Sequence, residues 1–131
     1  MVNPSKSSNS AEAGNATAEF VMVIGLVVLL FAGVLQVAFV LYTRNMMVDA
    51  AASGARYGTL LDRSYEDGAV RTRQLLDDNL PVGGTTEVSY QVVNHSGVQM
   101  LEMRVNAPLP IIGPFGVPHT LTVSGHAALQ R

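Results

Sequence analysis

The chain has 131 residues, eight Lys and Arg against ten Asp and Glu for a net charge of −2, and no cysteine. That length suits one small domain and leaves no room for two, while the missing cysteines exclude a disulfide framework, a thiol nucleophile and a thiolate metal site. Arg44, Arg56, Arg63, Arg71, Arg73 and Arg104 are interspersed with acids and form no basic stripe, so nucleic acid is not an expected partner.

In chain order, the first fourteen residues, MVNPSKSSNSAEAG, are small and polar, lack periodicity and read as disordered. From Phe20 to Tyr42 follows FVMVIGLVVLLFAGVLQVAFVLY, with no charge and Gln36 as its one strongly polar residue. A helix of that length covers about 35 Å, enough to cross a hydrocarbon core of about 30 Å with some tilt. A buried core helix is the first rival, but such helices are shorter and carry a polar face. A cleavable secretory signal is the second, but its apolar region is shorter and ends at a small-residue cleavage site, which Tyr42-Thr43-Arg44-Asn45-Met46 does not offer. The flanking charges, Lys6, Glu12 and Glu19 on one side and Arg44, Asp49 and Arg56 on the other, leave orientation almost undecided and lean slightly against an external C-terminal domain.

The edge of this span holds the most specific pattern. Gly14 is followed by four small or polar residues, Asn15-Ala16-Thr17-Ala18, then Glu19, Phe20 and the charge-free run. This resembles the processing site of type IV prepilins, and the Glu19-Phe20 pair resembles that of the Tad (Flp, type IVb) branch. Residues 43–58, TRNMMVDAAASGARYG, resemble the segment after the membrane helix of TadE-like proteins, with Gly54-Ala55-Arg56 as the Gly-Ala-Arg signature. The resemblance covers roughly Gly14 to Gly58. Where family members often carry proline in the first turns of the membrane helix, this chain has Gly25, so any kink is weaker.

The resemblance implies a leader over residues 1–14, cleavage by a prepilin peptidase between Gly14 and Asn15, a transmembrane helix with its edge over 15–42, and an extracytoplasmic α+β domain over 43–131. It also implies an inner-membrane location, crossed once with the N-terminus inside, extending to a pilus or the cell surface, and other Tad pilins and assembly-platform proteins as partners. Glu19, with Phe20 beside it, would guide registration by attracting the amino terminus of a neighbouring subunit. Each position also has a physical rationale. Glycine lets an extended backbone approach a protease, an acid at a helix start suits the macrodipole, and carboxylate and ammonium attract strongly only where water is scarce. A plain helix-start acid reaching the headgroups is the simpler account of Glu19.

Beyond the span, Met47, Ala50, Gly54, Tyr57 and Leu61 recur at helical spacing. They predict that the helix continues unbroken for about forty residues, roughly 60 Å. Its small face, Ala50, Ala51, Ser53 and Gly54, suits close packing either against neighbouring subunits or against the chain's own sheet, and Arg56 beside it either pairs across an interface or is solvated. Leu61-Asp62-Arg63-Ser64 reads as a break, with Ser64 capping a second helix over Tyr65 to Leu80 that turns Ala69, Val70, Leu76 and Leu80 inward and ends at Pro81-Val82-Gly83-Gly84. The period then changes to two. Val88, Tyr90 and Val92 face in on one strand, and Leu101, Met103 and Val105 on the next, with Met100, Glu102 and Arg104 outside. Asn94-His95-Ser96-Gly97 makes the hairpin turn, and a third strand covers Thr120 to Ala128 with Leu121 and Val123 inward. The apolar, proline-rich stretch 107–118 reads as loop, covering the core or touching a partner or the membrane. The fold class is α+β, with a long N-terminal transmembrane and stalk helix, a second helix and a small three-stranded antiparallel sheet.

No catalytic constellation emerges. His95, His119 and His126 lack a second ligand at metal spacing, and no phosphate-binding glycine loop or nucleophile elbow is present. The expectation is a structural pilin or pseudopilin, not an enzyme, with no cofactor, metal or small-molecule substrate. A membrane-anchored binding or accessory domain that is never processed is the alternative.

Overall fold

A computed structural model describes residues 7–80, 85–108 and 120–130. The element order is α1 (Ser7–Gly58), α2 (Tyr65–Asn79), β1 (Glu87–His95), β2 (Val98–Pro108) and β3 (Thr120–Ala128), the α+β sequence expected. The chain divides into two units, Met1–Ala38 and Phe39–Arg131.

In the first unit every described residue is helical. Residues 7–14, expected to be disordered, form the first two turns of α1. A helix nucleates at high cost but propagates cheaply, and Ala11, Glu12 and Ala13 are good helix formers with no proline among them. The apolar span therefore extends its helix back into the polar segment, and α1 is longer than expected, at 52 residues.

In the second unit α1 continues to Gly58 without interruption. The turn that follows is fixed by Thr59, whose Oγ1 donates to the Arg56 carbonyl at 2.8 Å. Ser64 then starts α2 through a reciprocal cap. The Asp67 N–H donates to Ser64 Oγ at 3.1 Å, and the Ser64 N–H donates to Asp67 Oδ2 at 2.8 Å. The three strands form a meander in the order β1-β2-β3, antiparallel throughout. Ser96 and Gly97, both at positive φ (54° and 85°), join β1 to β2 in a two-residue turn. The Gly97 N–H donates to Asn94 Oδ1 at 3.0 Å.

The core lies between the sheet and the two helices. α1 contributes Met47, Ala50, Ala51 and Ala55, α2 contributes Ala69 and Leu76, and the sheet contributes Leu101, Met103, Val105, Ala107, Val123 and Ala127. Five inward assignments differ from expectation. Leu61 is 94 % exposed because α1 has ended before it. Val70 is exposed while Thr72 takes the inner position on α2. Tyr90 and Val92 pair with Met103 and Leu101 on the inner face, but they sit on an edge strand and remain exposed. Ser53 is exposed, and Glu102, expected outside, is buried. Ala107 and Pro108, expected in the loop, close β2, and Pro108 occupies its last position, where no further rungs follow. Residues 81–84, the rest of the proline-rich stretch and His119 lie outside the described residues.

Contacts between backbones hold these layers close. A Cβ on Gly54 would collide with Thr72 Oγ1 and stand 2.7 Å from the Gly68 carbonyl oxygen. One on Gly68 would stand 2.6 Å from the Gly54 carbonyl oxygen, and one on Gly125 would collide with the backbone of Ala51 and Ala52. Gly54→Ala and Gly68→Ala are each expected to destabilise the protein by about 1–3 kcal/mol, the cost of overpacking. Gly33→Ala, where an added Cβ meets nothing, should be neutral or slightly stabilising. Denaturant unfolding of the detergent-solubilised chain, followed by circular dichroism, checks the contrast.

Candidate functional site

The first unit presents an apolar surface with no cover from the described chain. Phe20 is 63 % exposed, Met22 77 % and Leu30 68 %, and the large apolar residues up to Val37 stand equally open. None of the helix's most apolar window is buried. The span is apolar on every side, as a helix surrounded by lipid is. So much contiguous apolar area far exceeds what a water-soluble monomer leaves uncovered.

At its N-terminal edge, Gly14, Asn15, Glu19 and Phe20 all lie within α1 and are exposed. Gly14 has ordinary helical backbone and no neighbour within 4 Å of an added Cβ. Neither conformation nor packing in this chain requires glycine there. Thr17 Oγ1 donates to the Ala13 carbonyl at 2.8 Å, across the same turn.

Most of the small face of α1 is buried within the chain, with Ser53 left exposed. Ala50 is buried at 5 % exposure, and Gly54 is buried against α2. Thr72 Oγ1 donates to the Gly68 carbonyl at 3.0 Å and reaches the Ala50 carbonyl at 3.5 Å. Gly54 faces the second helix, not the sheet, because Gly68 and Thr72 bring that helix against it. Arg56 remains exposed at the rim.

Sequence reasoning missed Gly68, Thr72 and Gly125, which complete these contacts. An isolated glycine inside a helical or strand pattern is the available signal. It also missed a polar row across the outer face of the sheet, where Gln91, Glu102 and His126 are register partners. Arg104 donates to Glu102 Oε1 at 2.6 Å, and His126 Nε2 lies 3.3 Å from Oε2. Burial alone would push the Glu102 carboxyl up. The hydrogen bonds from Arg104 and Gln91, the Arg104 charge and the His126 bond outweigh it and hold the group below its ordinary range. The Asp67 carboxyl is lowered too, first by the Ser64 backbone N–H and then by its hydroxyl. Among the described residues no cluster of three or more His, Asp or Glu is placed to hold a metal.

These features define a class: chains with one helix long and apolar enough to cross a membrane, followed by a small α+β domain. Residues 14–56, from Gly14 through Arg56, match the family model described as TadE-like protein, and this segment is similar to that family. No curated protein and no solved structure matches the chain.

Because Glu102 and Asp67 titrate lower folded than unfolded, they add stability above the ordinary carboxylate range and lose it as pH falls from that range through their lowered folded values. Thermal unfolding in detergent should therefore show a melting temperature that drops below about pH 4. Glu102→Gln should flatten part of that drop.

Proposed function

We propose that this chain is a structural minor pilin or pseudopilin of a Tad (Flp, type IVb) pilus or secretion system, assembled through α1 after loss of a leader. The observation that carries this reading is the family match, which begins at Gly14 and takes in the uncovered apolar helix. In this reading residues 1–14 are the leader, 15–42 cross the inner membrane with the N-terminus inside, and 43–131 form the extracytoplasmic domain.

Cleavage between Gly14 and Asn15 by a prepilin peptidase makes Asn15 the new amino terminus. Glu19 then lies four residues on, about one helical turn away. At the membrane edge, where water is scarce, its carboxylate attracts the new ammonium group of a neighbouring pilin subunit. Phe20 begins the apolar anchor beside it. Gly14 supports the proposal because the chain itself makes no use of that glycine, which leaves a demand from outside, such as a protease needing close access to the backbone. Assembly-platform proteins and other Tad pilins are the partners of the mature helix.

A second reading, an anchored accessory domain that is never processed, draws on one observation. Gly14 lies inside α1, where the backbone is helical and not extended. The two readings separate on mass. Co-expression with a prepilin peptidase should remove the mass of residues 1–14, and Gly14→Ala, which also strengthens the helix by about 1 kcal/mol, should block that loss. Glu19→Ala should leave cleavage intact and lower recovery of the chain in assemblies. An unchanged mass in the presence of an active peptidase would favour the unprocessed anchor.

A further inference from the structure

We propose that the free edge of β3 takes up an extended, acid-bearing segment of a different protein as a fourth strand, seated in the groove between β3 and the C-terminal end of α1. Only residues of the second unit are involved, so the site stands apart from the pilin reading.

The ladder fixes which backbone groups are free. The Leu129 N–H donates to the Gln99 carbonyl at 2.9 Å, so Gln99 bonds toward β3. Bonding residues alternate in an antiparallel pair. On β2 the odd-numbered residues therefore bond to β3 and the even-numbered ones to β1. Through the register, Leu121, Val123, Gly125 and Ala127 spend their backbone groups on β2. Those of Thr122, Ser124, His126 and Ala128 point away from the sheet. The same count turns Val88 outward on β1, and there Arg73 Nη2 donates to the Val88 carbonyl at 3.3 Å.

The two edges are guarded differently. β1 has Glu87 at its start, Arg73 on the Val88 carbonyl and Tyr65 edge-on to Tyr90. β3, TLTVSGHAA, holds no Lys, Arg, Asp, Glu or Pro, and its register runs from Thr120 to Ala128 without a bulge. Charges, prolines and bulges are what keep an edge strand from pairing with another chain. α1 meets the inner face of β3, where Gly125 touches Ala51 and Ala52.

A groove of about 680 Å³ lies where an added strand would run. Arg56, Leu60 and Leu61 line it on the side of α1 and the turn that follows, and His126, Ala127 and Ala128 line it on the strand side, among others. His126 belongs to the outer face of the sheet and Ala127 to the inner one. A groove touching both lies off the edge of β3, not over either face. Leu60 and Leu61 are 51 % and 94 % exposed, so the groove is flanked by apolar surface that the domain itself leaves uncovered.

Charge selects the occupant. Asp62 is paired with Arg63 at 3.9 Å and His126 with Glu102 at 3.3 Å. Arg56 is exposed and enters none of the ion pairs among the described residues. The charge left over is positive. A strand added beside β3 sends alternate side chains to opposite faces. One inward position lies beside Ala127, whose small side chain leaves room for a large apolar group against Leu60. The next inward position presents a carboxylate to Arg56. Outward positions lie beside the His126 imidazole and are polar. In such strand addition the backbone ladder supplies affinity and the alternate side chains supply selectivity. The β3 edge of a second copy carries no acid and leaves Arg56 unanswered.

The probe is a display library of random peptides of about ten residues, the length of an edge strand, selected against the full chain in detergent micelles. It should enrich alternating sequences with an acid two residues from a large apolar residue. The same selection on Arg56→Glu should replace that acid with Lys or Arg. A synthetic copy of an enriched peptide should slow hydrogen exchange several-fold at the amides of Ser124, His126 and Ala128. N-methylation of one peptide residue that bonds to β3 should weaken binding by about tenfold, the loss of a ladder bond, and N-methylation of its neighbour should not.

Failure to enrich any pattern would overturn the proposal. So would a pattern unchanged on Arg56→Glu, or binding that leaves those three amides unprotected. Protection of the same amides without peptide, lost on dilution, would also overturn it, because the edge would then belong to a second copy.

Discussion

The domain depends on backbones meeting with almost no side chain between them. Gly54 and Gly68 let α1 and α2 touch, and Gly125 lets β3 touch α1 at Ala51 and Ala52. A unit of this size buries little apolar surface, and half of its core is alanine: Ala50, Ala51, Ala55, Ala69, Ala107 and Ala127. The larger core side chains, Met47, Leu76, Leu101, Met103 and Val105, fill the centre between the sheet and the helices. Elsewhere proximity takes the place of bulk. Dispersion attraction falls steeply with separation, so layers held at backbone contact recover in packing what small side chains give up in buried area. Thr72 fits the same economy of space, since its hydroxyl bonds to carbonyls of both helices where a larger side chain would part them.

One helix meets two different surroundings, and its sequence changes accordingly. From Phe20 to Tyr42 it is apolar on all sides, a pattern that suits lipid and would be insoluble in water. From Thr43 onward only one face is buried, with Met47, Ala51 and Ala55 at four-residue steps, while Arg44, Asp49 and Arg56 are exposed. The helix does not break where the pattern changes, because backbone hydrogen bonds are indifferent to which solvent surrounds the side chains. That same indifference carries the helix back through residues 7–14, whose composition gave no periodic sign of it.

Local chemistry was legible wherever a residue's role depends on its near neighbours. Ser64 announced the α2 cap, Asn94-His95-Ser96-Gly97 the turn, and the period-two runs β1 and β2. The apolar span was readable for the same reason. What failed was exposure decided at a distance. Val92 has the right face but lies near the hairpin end of an edge strand and stays exposed, and Leu61 continues a helical spacing past the residue where the helix stops. Glu102 was read as a surface residue from its alternation alone. Its burial comes from Gln91 and His126, brought level by a strand register that no local window contains. The small face of α1 was ambiguous because small residues invite a close neighbour without naming it. Gly68 on α2 is that neighbour.

The charged residues sort by whether this chain completes them. Glu66 has Arg73, Asp67 has Ser64, and Glu102 has Arg104 and His126. Interactions such as these tie each element to the next and are finished within one copy. Asp49, Arg56 and Arg71, which line the grooves beside the α1–α2 seam, differ, since none of the ion pairs among the described residues engages them. The apolar face of residues 20–37 is incomplete in the same sense, because nothing in the described chain covers it. Internal completion explains the fold of residues 39–131. The interactions left open are on α1 or border it, and they are of two kinds, one satisfied by lipid or apolar helices and the other only by charge. The match of residues 14–56 to a TadE-like model falls on the helix that carries most of what is left uncovered.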